Sequence, residues 1–168
     1  LGQIHKGNAL NLERIQKFLN NEKIDGWLFY DFRASNSIAI DFLSIDKEAL
    51  LTRRFAYWIP TRGEAIKVVH GIESHHLDHL PGQKKIYRTF EEWQEALKSL
   101  CFQDKTIAME YSQDGNLPVI SKVDGGIIDL VRKFGGRVVS SGSLLVSCKK
   151  PLSSEQIQSQ QKAALILD

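Results

Sequence analysis

The chain has 168 residues, with a formal net charge of +2 and an ordinary 42% of hydrophobic residues. That length suits one domain with a full core and no need of disulfides or metals. The near-balanced charge argues against nucleic-acid or membrane-surface partners. No apolar run approaches the ~20 residues that cross a bilayer, and no leader pattern opens the sequence. With only Cys101 and Cys148 present, a disulfide scaffold is excluded and a reducing, cytoplasmic setting is expected.

Leu12, Ile15, Phe18 and Leu19 predict an amphipathic first helix capped by Asn8 or Asn11. Trp27 to Tyr30 reads as a buried strand after Asp25-Gly26, and Ser35 to Leu43 as a short helix with Ile38 and Phe42 inward. Three further apolar runs, at 49–52, 56–59 and 65–69, are separated by Arg53-Arg54 and Pro60-Thr61-Arg62-Gly63. Such short links imply antiparallel neighbours, because a parallel pair needs a crossover of a dozen or more residues.

The rhythm then changes to strand and helix in alternation. Ile86-Tyr87 lies on a strand, and Thr89 with Glu92 spells a capping box ahead of Trp93, Ala96, Leu97 and Leu100 on one helical face. Thr106 to Tyr111 is a strand. Ser121 with Asp124 offers another cap for a helix through Ile127, Leu130, Val131 and Phe134, which Gly135-Gly136 ends. Arg137 to Val139 is the last strand. The expected fold is α/β, a mixed β-sheet in which an antiparallel meander joins βαβ-like units, flanked by helices.

The expected domain spans 1–150, and a further helix is expected in 151–168. Ser153 and Gln156 form a capping box, and Ile157, Ala164 and Leu165, widened by Ala163, Ile166 and Leu167, give an apolar side. That helix is still gaining apolar residues at Asp168, so we expect it to pack against something, either this domain or a further one.

Four of the five histidines crowd into His70, His75, His76 and His79. His75 and His79 would share a face on a helix, a spacing able to hold a divalent metal, but the H-E-x-x-H pattern fails at His76. A solvated turn is the expectation, with no metal ligand. No phosphate-cradling glycine motif and no G-x-S-x-G elbow occurs, and no catalytic residue is assigned. The basic doublets are scattered, as solvated faces are.

The stretch Tyr30-Asp31-Phe32-Arg33-Ala34-Ser35-Asn36 follows the most apolar strand, where α/β sheets present binding loops. Asp31, Arg33 and Asn36 are therefore the candidate site residues. The alternative is structural, with Asp31 or Ser35 capping the next helix and Arg33 paired to a neighbouring carboxylate.

Gly26 to Asn36, Leu51-Thr52-Arg53-Arg54, Ile59-Pro60, His70-Gly71-Ile72-Glu73, Leu80-Pro81-Gly82, Ala108-Met109-Glu110-Tyr111-Ser112 and Val123-Asp124-Gly125-Gly126 together resemble the N-terminal domain of the pita-bread metallopeptidases. These are aminopeptidase P, prolidase and their relative creatinase. Asn36-Ser37 stands where Asn-Pro is expected. The resemblance implies a ribonuclease H-like α/β layer that is itself non-catalytic and shapes substrate access and subunit contacts. It further implies a C-terminal catalytic domain in which two Asp, one His and two Glu hold two divalent metal ions, a homo-oligomeric parent, and proline-containing peptides as substrates. Asp31, Arg33 and Asn36 would then face the cleft of that domain, in the same or a neighbouring subunit. The competing expectation is a free-standing binding or oligomerisation module.

Overall fold

The computed structural model describes residues 9–148. Its core is a six-stranded sheet with the order β4-β3-β2-β1-β5-β6. The strands are β1 (Gly26–Asp31), β2 (Phe55–Pro60), β3 (Ile66–His70), β4 (Gln83–Tyr87), β5 (Thr106–Met109) and β6 (Arg137–Ser140). Antiparallel pairing joins β1 to β2 and β2 to β3; the other pairs are parallel. Five strands therefore run one way, and β2 alone runs back.

Every residue of β1 is buried, as befits a central strand covered on both faces, where apolar residues run without alternation. The period of two survives as a division between two cores. Trp27, Phe29, Tyr57, Ile59, Val69 and Ala108 point to one face, and Leu28, Tyr30, Trp58, Val68, Ile107 and Met109 to the other. The first face is covered by α1 (Leu12–Asn21), α2 (Ser37–Phe42) and α5 (Gly142–Ser147), the second by α3 (Phe90–Lys98) and α4 (Gly125–Lys133). The result is a three-layer α/β/α domain, the mixed sheet expected from the sequence.

The helix ends show which local signals operate. Asn11 caps α1 by accepting from the Arg14 N–H at 3.1 Å. Thr89 and Glu92 close the expected capping box on α3. In α4 the cap is Asp124, which accepts from the Ile127 N–H at 3.1 Å, and Ser121 lies outside the helix, ending a preceding 3-10 turn. A carboxylate directly before the first turn satisfies a free N–H and meets the positive end of the helix dipole.

Several expectations need correction. Residues 49–52 form no strand: Leu51 is buried, but Leu50 is 78% exposed, and the run is loop leading to β2. The antiparallel meander is instead β1-β2-β3. In α2 the buried positions are Ala39 and Ile40, followed by Leu43, whereas Ile38 and Phe42 are half-buried; the helix is one turn and a half, too short for spacing to fix its face. The α5 helix, in a serine-rich stretch, went unread. The 71–82 connection crosses between two parallel strands with a 3-10 turn, Gly71–Glu73, and further turns. His75 and His79 consequently share no helical face. The helix expected from Ser153, and the boundary at 150, lie outside the described residues.

Gly26 shows how tightly the sheet is filled. A Cβ built there would lie 2.1 Å from the Trp58 ring, and that ring is itself buried and edge-on to Phe102 at 5.3 Å. Gly26→Ala should therefore destabilise the fold by about 1–3 kcal/mol through overpacking, read as a lower urea midpoint with an unchanged slope.

Candidate functional site

Because five strands are co-directional, their carboxyl ends share one rim of the sheet, the place where α/β folds assemble ligand sites. The segment after β1, the Arg53-Arg54 lead into β2, the start of α3 after β4, Glu110 after β5 and Ser141 after β6 all gather there.

The segment 31–36 is a tight turn. The Ser35 N–H donates to the Phe32 carbonyl at 3.2 Å, and both central residues, Arg33 and Ala34, have positive φ, 56° and 57°. This is the handedness of mirror-image turns, which favour Asn-Gly or Gly-Gly; a residue with a Cβ is strained there. The turn is held by the Asp31 carboxylate, which accepts from the Ala34 N–H at 2.9 Å and the Asn36 N–H at 2.8 Å. Burial raises the Asp31 pKa above its ordinary value, against the backbone N–H groups that favour its ionised form.

Asn36 is fully enclosed. Its carbonyl caps α2 by accepting from the Ala39 N–H at 3.0 Å, and its amide donates to the Tyr30 carbonyl and to Glu110 Oε1, both at 2.9 Å. Every polar atom of this side chain is thus engaged inside the domain, and both oxygens of Asp31 are likewise taken. Arg33 alone of the three candidates is exposed, and it forms no ion pair among the described residues.

Glu110 is the residue that sequence reasoning passed over. It is completely buried, and it accepts from Trp27 Nε1 at 2.9 Å, Asn36 Nδ2 at 2.9 Å and Ser141 Oγ at 3.0 Å. No cation faces it. Desolvation pushes its pKa up to about 6, and the three donors limit the rise. One signal was available: Glu110 continues the alternation of β5 onto the face occupied by Ala108, an inward position where a carboxylate needs dedicated partners.

Beside the turn, the Arg54 guanidinium lies between two exposed rings, 5.7 Å from the centre of Phe32 and 5.3 Å from that of Phe90. The Arg54 carbonyl accepts from Tyr87 Oη at 2.7 Å, which fixes its backbone. The doublet read as a solvated face is therefore half a stacked cation–π layer. Together Arg33, Arg54, Phe32 and Phe90 offer a basic, aromatic rim suited to carboxylates and to apolar rings.

His75, His76 and His79 line an open cleft of about 650 Å³ that also includes Glu73, Asp46 and Thr52, whereas His70, at the end of β3, packs edge-on to Tyr87 at 5.1 Å. His79 Nε2 is 2.7 Å from the Leu43 carbonyl, and the rings of His75 and His76 are 4.3 Å apart. Glu73 is occupied structurally. Desolvation opposes its charge, but the Thr52 hydroxyl and the N–H groups of Thr52 and Arg53 hold its carboxyl below the ordinary value. Among the described residues no group of three or more His, Cys, Asp or Glu side chains is placed to share a metal ion, and no helix is long and apolar enough to cross a membrane.

Comparison with solved structures identifies the architecture. The chain matches the creatinase/prolidase N-terminal domain of an X-Pro dipeptidase from Streptococcus pyogenes at a TM-score of 0.59 and 14% identity, covering 82% of this chain and 97% of that one. A Creatine_N superfamily domain of a dipeptidase from Streptococcus thermophilus matches at 0.56 and 16%, with the same coverage. A prolidase from Thermococcus sibiricus matches at 0.63 and 11%, over 93% of this chain but 40% of that one. Against such longer prolidase and dipeptidase chains, this chain spans 37–40% of their length. No family model and no curated protein matches it. The fold is that of the creatinase/prolidase N-terminal domain.

Two measurements check this site. The folded Glu110 pKa, about 6, lies above its ordinary 4.5, so its contribution to stability is full below the unfolded value and is lost as pH rises through about 6. The stability difference between wild type and Glu110→Gln should shrink by about 2 kcal/mol from pH 3.5 to 7, as measured by urea unfolding; a difference independent of pH would contradict it. For the turn, Ala34→Gly should release the positive-φ strain and stabilise the domain by about 0.5–1 kcal/mol, seen as a higher Tm.

Proposed function

We propose that this chain is the non-catalytic N-terminal domain of a proline-specific metallopeptidase, an Xaa-Pro aminopeptidase or dipeptidase, in which it shapes substrate access and subunit contacts. The observation that carries the reading is the coverage pattern. The chain pairs with nearly the whole of separate N-terminal dipeptidase domains, yet with well under half of longer prolidases. The sequence resemblance from Gly26 to Asn36 and at Ala108 to Ser112 supports it independently. On this reading the hydrolytic chemistry, with its two divalent metal ions, belongs to a C-terminal domain following a linker that includes 151–168, and the parent is a homo-oligomer.

The role of the present domain is to offer the rim to the catalytic cleft, of its own subunit or a neighbour. Arg33 is the residue able to act outward. Asp31 and Asn36 serve as its mount: the one fixes the turn, the other ties the turn to Glu110 and caps α2. A guanidinium with five N–H donors held on a rigid turn suits a peptide carboxylate or a carboxylate of the partner surface.

The test compares this chain with the longer protein encoded by its reading frame. The longer protein should hydrolyse Xaa-Pro peptides when loaded with divalent metal, and the 168-residue chain should not. In the longer protein Arg33→Ala should reduce kcat/KM by roughly ten- to hundredfold, the equivalent of about 1.5–3 kcal/mol for a lost charge-assisted hydrogen bond, with the far-ultraviolet spectrum unchanged. Metal-dependent hydrolysis by the 168-residue chain itself would overturn the reading, and wild-type kinetics in Arg33→Ala would remove Arg33 from it.

A further inference from the structure

Exposed apolar side chains gather at one end of the sheet. Of the eight large hydrophobic residues exposed among the described residues, five lie at the rim formed by β1 to β4: Phe32 (40%), Leu50 (78%), Ile72 (65%), Ile86 (47%) and Phe90 (52%). The register sets their supports side by side. Asp31, last in β1, pairs with Phe55, first in β2; Ala56 pairs with Val68 of β3; and His70, last in β3, pairs with Tyr87, last in β4. Phe32, Arg54, Gly71 and Arg88 therefore flank the ends of four adjacent strands. Leu50 and Ile72 share the histidine cleft, and the Arg54 guanidinium joins Phe32 to Phe90. A Cβ built at Gly71 would lie 3.5 Å from the Arg88 side chain and 3.7 Å from that of Ile86, which closes the row. Clustered apolar exposure of this kind marks an interaction surface, where single exposed residues do not.

The centre of this end carries charge of one sign. Arg33, Arg53 and Arg88 are exposed and Arg54 is half-buried, and none of the four forms an ion pair among the described residues. The carboxylates next to them are engaged by backbone N–H groups. Asp31 holds the turn, Glu73 accepts from Thr52 and Arg53, Glu92 closes the α3 capping box, and Asp124 caps α4. Exposed acids belong to the margins, with Asp46 and Glu48 ahead of Leu50 and Glu91 after Phe90.

We infer that this end of the sheet receives an acidic, apolar segment of a protein partner, with Arg54 as the central anchor. Charge complementarity demands carboxylates or another anion, and two observations select a protein. The four cations are all arginine, whose planar fork meets a carboxylate through two parallel hydrogen bonds. Arginine beside exposed aromatic rings is the composition of protein interfaces, in which lysine is depleted. Size is the second observation. Four strand ends span three inter-strand spacings, about 14 Å, the rise of roughly ten helical residues, so the occupant is a segment of chain. Arg54 is ordered in advance by a ring on either side and by the Tyr87 bond to its carbonyl, which reduces the entropy lost on binding. The inference goes beyond the peptidase reading and does not need it: binding is a property of this chain alone, whatever the longer protein hydrolyses.

The experiment is a nuclear magnetic resonance titration of the isotope-labelled 168-residue chain with an acetylated, amidated amphipathic peptide of glutamate and leucine. The same peptide with glutamine for glutamate is the control. The acidic peptide should shift amides within 32–34, 53–54, 71–73 and 86–90, and added salt should weaken it. Arg54→Gln, which keeps the backbone carbonyl, should lower the affinity by about tenfold or more, and so should Leu50→Ser/Ile72→Ser. Arg62→Gln, in the turn at the opposite end of β2, should leave it unchanged. All these side chains are exposed or half-buried, so unshifted core amides report an intact fold in each variant. No shift at this end, equal binding of the glutamine peptide, or unaltered affinity in both Arg54→Gln and Leu50→Ser/Ile72→Ser would overturn the inference. Binding to phosphatidylserine vesicles without binding to the peptide would overturn it in favour of a membrane surface.

Discussion

A carboxylate sealed from water and met by three hydrogen-bond donors is the constraint around which this domain is arranged. Taking an ionised Glu110 out of solvent is costly unless fixed dipoles replace its hydration, and the chain supplies three. One comes from the centre of the sheet (Trp27), one from the turn after β1 (Asn36) and one from the last turn before α5 (Ser141). Each is a donor and offsets part of the desolvation that raises the Glu110 pKa. Ser141 alone can also turn to accept. The carboxylate therefore fixes the relative positions of three segments that no apolar contact would place so narrowly, since apolar packing is not directional.

The rim inherits its rigidity from this knot. Asn36 passes the constraint from Glu110 to the start of α2 and to the Tyr30 carbonyl, while Asp31 converts the same anchoring into a turn of unfavoured hand. Arg33 stands on that turn, exposed and without an ion pair among the described residues. Next to it, Arg54 is held in place by rings on both sides. Positive φ and buried polar groups are concentrated in the 31–36 segment that carries Arg33 at the carboxyl ends of the strands.

The sheet and most helices were legible because their signals are local. The unbroken apolar run of β1, the Thr89/Glu92 box and the Gly135 stop, at φ +88°, each depend on neighbours a few residues away. Where the deciding partner is distant, the sequence is silent. Asp31 and Asn36 look like exposed loop residues until Glu110, 74 residues beyond Asn36, is brought against them. Leu51 attracts a strand assignment although Leu50 beside it faces solvent, because an apolar run does not reveal whether a ladder partner is free to receive it. The α5 helix was masked by serines, which favour turns in isolation; in the folded domain Leu144 is buried in the core and overrides that preference. Within 31–36, the division between the buried Asp31 and Asn36 and the exposed Arg33 depends on partners far along the chain, which the sequence does not show.

The span of the knot also orders events during folding. β2 and β3 meet across a short link and can pair early, whereas β1 reaches β5 only after the chain has laid down the whole of β2 to α3 between them. Glu110 lies 83 residues from Trp27 and 31 from Ser141, so its donors arrive from both sides in sequence. Until that crossover is complete, drying the carboxylate brings cost and no return. The barrier should therefore be crossed with Glu110 still hydrated or protonated, and the acid finds its place only as the sheet closes. A group that resists burial until every partner is present works as a proofreading step for strand order, favouring the β1–β5 neighbourhood over any other parallel pairing that the apolar strands alone would tolerate.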